Sequence, residues 1–194
     1  YRATAEPRWL VAAEELVAVV REQFADPERG GFYYTPADGE RLIARHKELD
    51  DNPTPSGQSL MATVLLQLAR LHGDEAMESE AAGVLQLAAP YVERSPHGLG
   101  QALCALDMYL SPPQEIAVIG PPDDEATQRL AAAALDPYLP NAVVAYGDGH
   151  HDASLPVLAG KGLVGGRPAV YICERFACRA PLTDPGAVSA ALAA

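Results

Sequence analysis

The chain has 194 residues, 48% of them hydrophobic, and a formal charge of −12 from 14 basic and 26 acidic side chains. That much apolar material builds a core in one large or two small domains and excludes a disordered chain. With no basic cluster long enough to neutralise several phosphates in a row, nucleic acid and anionic membrane are excluded as partners.

The apolar stretch from Leu10 to Val20 is broken by Glu14 and Glu15, so it falls short of the roughly 20 apolar residues that cross a bilayer. A charged start followed by an apolar run and a small-residue cleavage site is also missing, and the chain opens on Tyr1 rather than Met. It is expected to be a processed or cut piece of something longer. Three cysteines, an odd number, point to reduced thiols in the cytoplasm rather than to a disulfide framework.

In chain order, Trp9, Leu10, Ala13, Leu16, Val17, Val20 and Phe24 recur at helical spacing, with Pro7 suited to a first turn and Asp26-Pro27 closing the segment. Gly30 to Tyr34, the turn signal Asp38-Gly39 and Leu42 to Ala44 predict a short β-hairpin between helices. Pro53 and Pro55 then break the chain, and Ser56 stands as the N-cap of a helix running to Gly73. Two further helices are predicted, near 75–91 and 98–110, the last carrying Leu99, Leu103, Leu106 and Leu110 on one face and placing Cys104 in the core.

At Ser111-Pro112-Pro113 the pattern changes. Glu115 to Gly120 predicts a strand, 123–135 a helix, Asn141 to Tyr146 and Pro168 to Cys173 two more strands, and Pro185 to Ala194 a short helix or tail. The expected fold class is mainly α with a C-terminal α/β part. Helical hairpins with an inserted β-hairpin occupy 1–111, and a small, mainly parallel sheet occupies 112–194.

The polar, proline-broken loop from Arg45 to Gln58 is the main candidate site. Asp50 and Asp51 are its candidate acid/base groups, and Arg45, Lys47, Ser56 and Gln58 its candidate substrate contacts, a set suited to a polyhydroxylated ligand. A purely structural reading pairs Arg45 and Lys47 with Asp50 or Asp51 to order the loop and leaves Ser56 as a cap. Asp148, His150, His151 and Asp152 are metal-type side chains, but adjacent histidines point apart and no distant third ligand is identifiable, so no metal is expected. Gly120 lacks the G-x-G-x-x-G context of a nucleotide cradle, and no cofactor is expected.

The order Asp26, Gly30-Gly31-Phe32, Arg45-x-Lys47-x-x-Asp50, Pro55-Ser56-Gly57, a Leu-rich helix, Glu-Ile-x-Val-Ile-Gly and Cys173-x4-Cys178-x2-Pro181 resembles the thioredoxin-domain-containing family of YyaL and spermatogenesis-associated protein 20. The resemblance covers nearly all of this chain but about the last third of the family pattern. Gln58 replaces the usual Asn, and Asp51-Asn52 the usual Gly-Ala.

The resemblance implies a partial α/α toroid like that of six-hairpin glycosidases and sugar epimerases. It implies as partners a thioredoxin-like domain or the missing toroid half, and a sugar ligand at the Arg45–Gln58 loop. It also suggests that Cys173 and Cys178 exchange thiols with the thioredoxin-like partner, although their spacing is not C-x-x-C. Two functions follow as expectations: a binding or redox-associated module, or a carbohydrate-active enzyme of the glycoside hydrolase or epimerase type.

Overall fold

A computed structural model describes residues 1–40, 43–149 and 155–193. The chain divides into two compact units: Glu6–Ala69 with Asp74–Leu110, and Tyr1–Ala5 with Arg70–Gly73 and Ser111–Ala194. The first is helical and the second is α/β, so the expected class, mainly α with a C-terminal α/β part, is the observed one.

Helix α1 spans Pro7–Phe24 with proline in its first turn, where a missing N–H costs nothing. Its buried side is narrower than the apolar spacing suggested: Leu10 and Val17 are buried, while Trp9, Leu16 and Val19 are exposed. Helix α2, Gly57–His72, starts where Ser56 Oγ accepts the Ser59 N–H at 3.2 Å, the cap expected from sequence. Helix α3, Glu75–Val92, is capped by Asp74, whose side chain takes the N–H groups of Ala76 and Met77. Helix α4, Gly100–Leu110, buries Ala102, Ala105 and Met108. The core therefore follows 99, 102, 105 and 108 rather than 99, 103, 106 and 110; Leu110 and Cys104 are exposed. Small residues on that face let α4 come close to its neighbour, and Leu99, Ala102 and Ala88 form one apolar cluster.

The β-hairpin expected between Gly30 and Ala44 is not formed among the described residues; Arg41 and Leu42 lie outside them. The segment instead folds back on the end of α1. Asp26 N–H bonds Gly31 O at 2.9 Å, Tyr33 N–H bonds Phe24 O at 2.7 Å and Ala37 N–H bonds Gln23 O at 2.7 Å. Gly30 and Gly31 hold φ of 72° and 68°, left-handed values that curl the chain rather than extend it.

In the α/β unit, strands β1 (Gln114–Ile119), β2 (Ala142–Gly147), β3 (Ala169–Glu174) and β4 (Ala177–Cys178) make one sheet in the order β2-β1-β3-β4. Only β1 and β2 are parallel, joined through α5 (Glu125–Leu135); β1–β3 and β3–β4 are antiparallel. The sheet is thus mixed rather than mainly parallel. The link from β2 to β3 contains a single 3-10 turn, Pro156–Leu158, among its described residues, and β3 returns in the opposite direction. On one face Ile116, Val118, Val144, Val170 and Ile172 pack with Leu130 of α5 and with Val188 and Leu192 of α6 (Pro185–Leu192). Gly120 closes β1 where a Cβ would stand 2.8 Å from Pro168 Cβ and collide with Thr127 Oγ1. Its place reflects close packing.

Among the described residues no helix is long and apolar enough to cross a membrane.

Candidate functional site

The loop from Arg45 to Gln58 is held from below by a knot of charge and aromatic rings. Arg45 donates from Nε to Thr35 O at 3.1 Å and from Nη2 to Gln23 O at 3.0 Å, and its guanidinium lies 4.2 Å from the Tyr33 ring centre. Lys47 Nζ pairs with Asp26 Oδ2 at 2.7 Å and donates to Gly30 O. Its partner is therefore Asp26, on the far side of the glycine turn, and not Asp50 or Asp51.

Asp26 also takes the N–H groups of Glu28 and Arg29 at 3.0 and 3.1 Å. The bond from Lys47 holds its carboxyl well below the usual range against the opposing effect of burial, with Arg29, Tyr33 and Glu28 adding in the same sense. The Tyr33 hydroxyl, bonded to Asp26, is pushed up in turn. Asp26 and Tyr33 thus belong to the loop's support, although neither is among the candidate site residues of the sequence. The Asp-x-x-x-Gly-Gly spacing around them was the available signal.

Asp51 plays a different part. Its Oδ1 accepts Ser56 N–H at 2.8 Å, and its Oδ2 accepts Gln101 and Ala102 N–H at 2.8 and 3.1 Å. Its own N–H donates to Gly98 O at 2.6 Å. One carboxylate therefore stitches the loop to the first turn of α4, where Leu99 offers no side-chain acceptor. Burial pushes the Asp51 carboxyl up, but the bonds from Ser56, Ser59, Ala102 and Gln101 together outweigh it and leave it below the usual range.

Ser56 is buried, its Oγ shared with Ser59 Oγ at 2.9 Å. Gln58 is buried as well: its Oε1 takes Phe32 N–H at 3.2 Å and its Nε2 donates to Phe32 O. Asp50 is exposed. Of the six loop candidates, five make bonds that order the chain, and Asp50 faces solvent.

Beside the knot lies a cleft of about 260 Å³ lined by Val20, Phe24, Phe32, Tyr33, Tyr34, Glu48, Gly57, Gln58 and Met61. At its edge Tyr34 stacks on His46, ring centres 5.2 Å apart. The walls are apolar and aromatic, with Glu48 supplying a carboxylate that also accepts from Asn52 Nδ2 at 3.0 Å. In sequence Glu48 is one acid in a charge run, with nothing to set it apart.

In the α/β unit Cys173 and Cys178 are joined by a disulfide across β3 and β4, contrary to the expectation of reduced thiols; Cys104 is the free cysteine. The odd count misled because a two-residue turn brings together cysteines five apart in sequence. Arg175 and Phe176 adopt φ of 49° and 61° there, the left-handed pair that a two-residue hairpin turn requires. Cys173 is 2% exposed, whereas Cys178 lies on an exposed strand.

Behind the turn Glu115, buried opposite Cys173, accepts Phe176 N–H at 3.2 Å through Oε2. Its Oε1 has no partner among the described residues. Burial pushes its carboxyl up, opposed by the Phe176 N–H and by the charges of Arg70 and Lys161. No group of three or more metal-type side chains occurs among the described residues; His150, His151 and Asp152 lie outside them.

These features define a helical unit with a braced polar loop and aromatic cleft, and a small α/β unit edged by a disulfide hairpin. No family model matches the chain. It is homologous to spermatogenesis-associated protein 20: 30% identical over 190 residues to the Rattus norvegicus and Mus musculus proteins and 28% to that of Homo sapiens. Each alignment covers 95% of this chain and 24% of the relative, so the chain spans about a quarter of the length of these proteins.

Proposed function

We propose that the chain is a non-catalytic module of a protein of the spermatogenesis-associated protein 20 type, with a binding and redox-associated role. The observation that carries this reading is the disulfide hairpin, in which one sulfur is buried and the other lies on an exposed edge strand. A disulfide whose outer half is an exposed residue is placed for attack by a partner's thiolate. The partner the sequence resemblance favours is a thioredoxin-like domain, and the further toroid helices that the resemblance implies are a second surface for assembly. A reducing, cytoplasmic setting would keep such a pair cycling rather than fixed.

The test is capture. A thioredoxin-like domain lacking its resolving cysteine is expected to form a mixed disulfide on Cys178, identified by peptide mass spectrometry, and Cys178→Ser should abolish it. Capture that persists in the Cys173→Ser and Cys178→Ser proteins would sink the proposal.

A carbohydrate-active enzyme is the second reading, favoured by the aromatic cleft and its carboxylate beside the loop. A sugar ring stacks its apolar face on such walls while a carboxylate takes its hydroxyls. Glu48 and the exposed Asp50 are then the acids to test, since Asp51 is engaged with α4. Calorimetric titration of a broad sugar panel is expected to give heats that Glu48→Gln weakens about tenfold, the worth of one charge-assisted hydrogen bond. Silence across the panel would remove this reading.

A further inference from the structure

We propose that the open edge of β4 is a strand-addition site for an extended, acidic segment of a dithiol protein, placed so that its thiolate attacks Cys178 Sγ. The proposal rests on the redox-associated reading above and names the docking chemistry of that site.

The ladder decides which way Cys178 faces. Arg179 N–H donates inward to Ile172 O at 3.0 Å. Because donors alternate sides along an antiparallel strand, the N–H and C=O of Cys178 turn outward, away from β3. Cys173 and Cys178 are then a non-hydrogen-bonded pair, the type whose Cα atoms lie closest, and they stand 3.9 Å apart. Among the described residues β4 is one of the two edge strands of the sheet. One exposed residue therefore carries a disulfide sulfur together with an outward main-chain donor and acceptor, which an added strand pairs with directly. Pro181 has no N–H to offer, so the row of donors is short and suits a segment of a few residues.

Charge selects the segment. Arg175 and Arg179 are both exposed near Cys178, with the exposed Glu174 and the buried Glu115, which holds the Phe176 N–H, as the acids beside them, in a chain of net charge −12. The two exposed cations, against one exposed carboxylate, favour an acidic peptide and also stabilise an approaching thiolate. A polar cleft of about 250 Å³, lined in part by Glu174, Ala177 and Arg179, adjoins the strand and leaves room for the incoming side chains.

The exchange balances. A partner thiolate bonds to Cys178 Sγ, the Cys173–Cys178 bond breaks, and Cys173 leaves as a thiolate that takes up a proton. The partner's second thiolate then attacks its own sulfur in the mixed disulfide and releases Cys178 as a thiolate, which is protonated in turn. The chain gains two electrons and two protons, and the partner becomes a disulfide.

The experiment uses the full wild-type chain and follows its two-hydrogen mass gain under four reductants. These are dithiothreitol, an acidic peptide carrying two cysteines two residues apart, the same peptide methylated on alternate backbone nitrogens, and a version with lysine for glutamate. The acidic peptide is expected to act about tenfold faster than its methylated form, and several-fold faster than the lysine version at low salt. Equal rates for all three peptides, with dithiothreitol still reducing the pair, would overturn strand addition while leaving the redox-associated reading standing. A pair that dithiothreitol leaves unchanged would overturn both.

Discussion

Asp51→Ala is expected to lower the stability of the helical unit by about 2–4 kcal/mol, more than the cost of losing an ordinary helix cap. The substitution strands three main-chain donors at once: Ser56 N–H at the entry to α2 and Gln101 and Ala102 N–H in the first turn of α4. It also removes a negative charge from a helix start, where the peptide dipoles favour one. Asp51→Asn keeps one acceptor but turns an NH2 toward the N–H groups that the other oxygen served and loses the charge, so it should cost somewhat less than alanine. With urea slopes of about 1–3 kcal/mol per molar, the Ala variant's midpoint should drop by roughly 1–2 M. Because the folded carboxyl is held below its usual range, its contribution is present above the unfolded value, about 3.9, and is lost as pH falls through the folded one. The gap between wild type and Asp51→Asn should therefore close on acidification below about pH 4. A midpoint unchanged in Asp51→Ala would remove the bracing role and return Asp51 to the list of free acids.

Asp51 also shows why the site was only partly legible. Helix α2 could be read from its apolar spacing and from Ser56, because periodicity and capping are local and the sequence carries them directly. Helix α4 is entered through Gly98-Leu99, which brings no side-chain acceptor of its own, and the missing acceptor comes from a residue 50 positions earlier. The charge-rich span was visible as a place, but which cation meets which carboxylate depends on how Gly30 and Gly31 curl the chain. Lys47 reaches Asp26 and not its nearer neighbours.

The same limit applies in the α/β unit. Strand positions followed from apolar runs, but strand direction depended on a linker with no helical signature, so the sheet became mixed. The hairpin turn at Arg175-Phe176 lacks the glycine or asparagine that announces left-handed backbone. Without that turn the two cysteines looked independent. Conversely, the Gly-rich, aromatic run that announced a hairpin at 30–44 was used to fold the chain back on α1.

Gln58→Ala is expected to destabilise the helical unit by about 2–5 kcal/mol, the cost of leaving a buried main-chain donor and acceptor unpaired. Gln58 and Phe32 are each 4% exposed, so water does not readily replace the lost amide. The paired bonds from Oε1 to Phe32 N–H and from Nε2 to Phe32 O make the side chain a rung that continues the chain reversal begun at Gly31. Gly31 is equally constrained: a Cβ there would stand 2.5 Å from Leu87 Cδ1 and 2.8 Å from Gln58 Oε1. Gln58→Glu separates this role from ligand contact. An ionised carboxylate still accepts from Phe32 N–H but faces Phe32 O with no proton to share, so at pH 7 it should destabilise nearly as much as alanine. Burial and the facing carbonyl raise the folded pKa of the new acid, so stability should return as pH falls through that raised value, when the protonated carboxyl donates to Phe32 O. A chemical-denaturation series from pH 8 to pH 5 measures this, and a Gln58→Glu protein whose deficit stays constant over that range would refute the rung. If Gln58 instead served a ligand in the cleft it lines, both variants would keep wild-type stability and lose only binding.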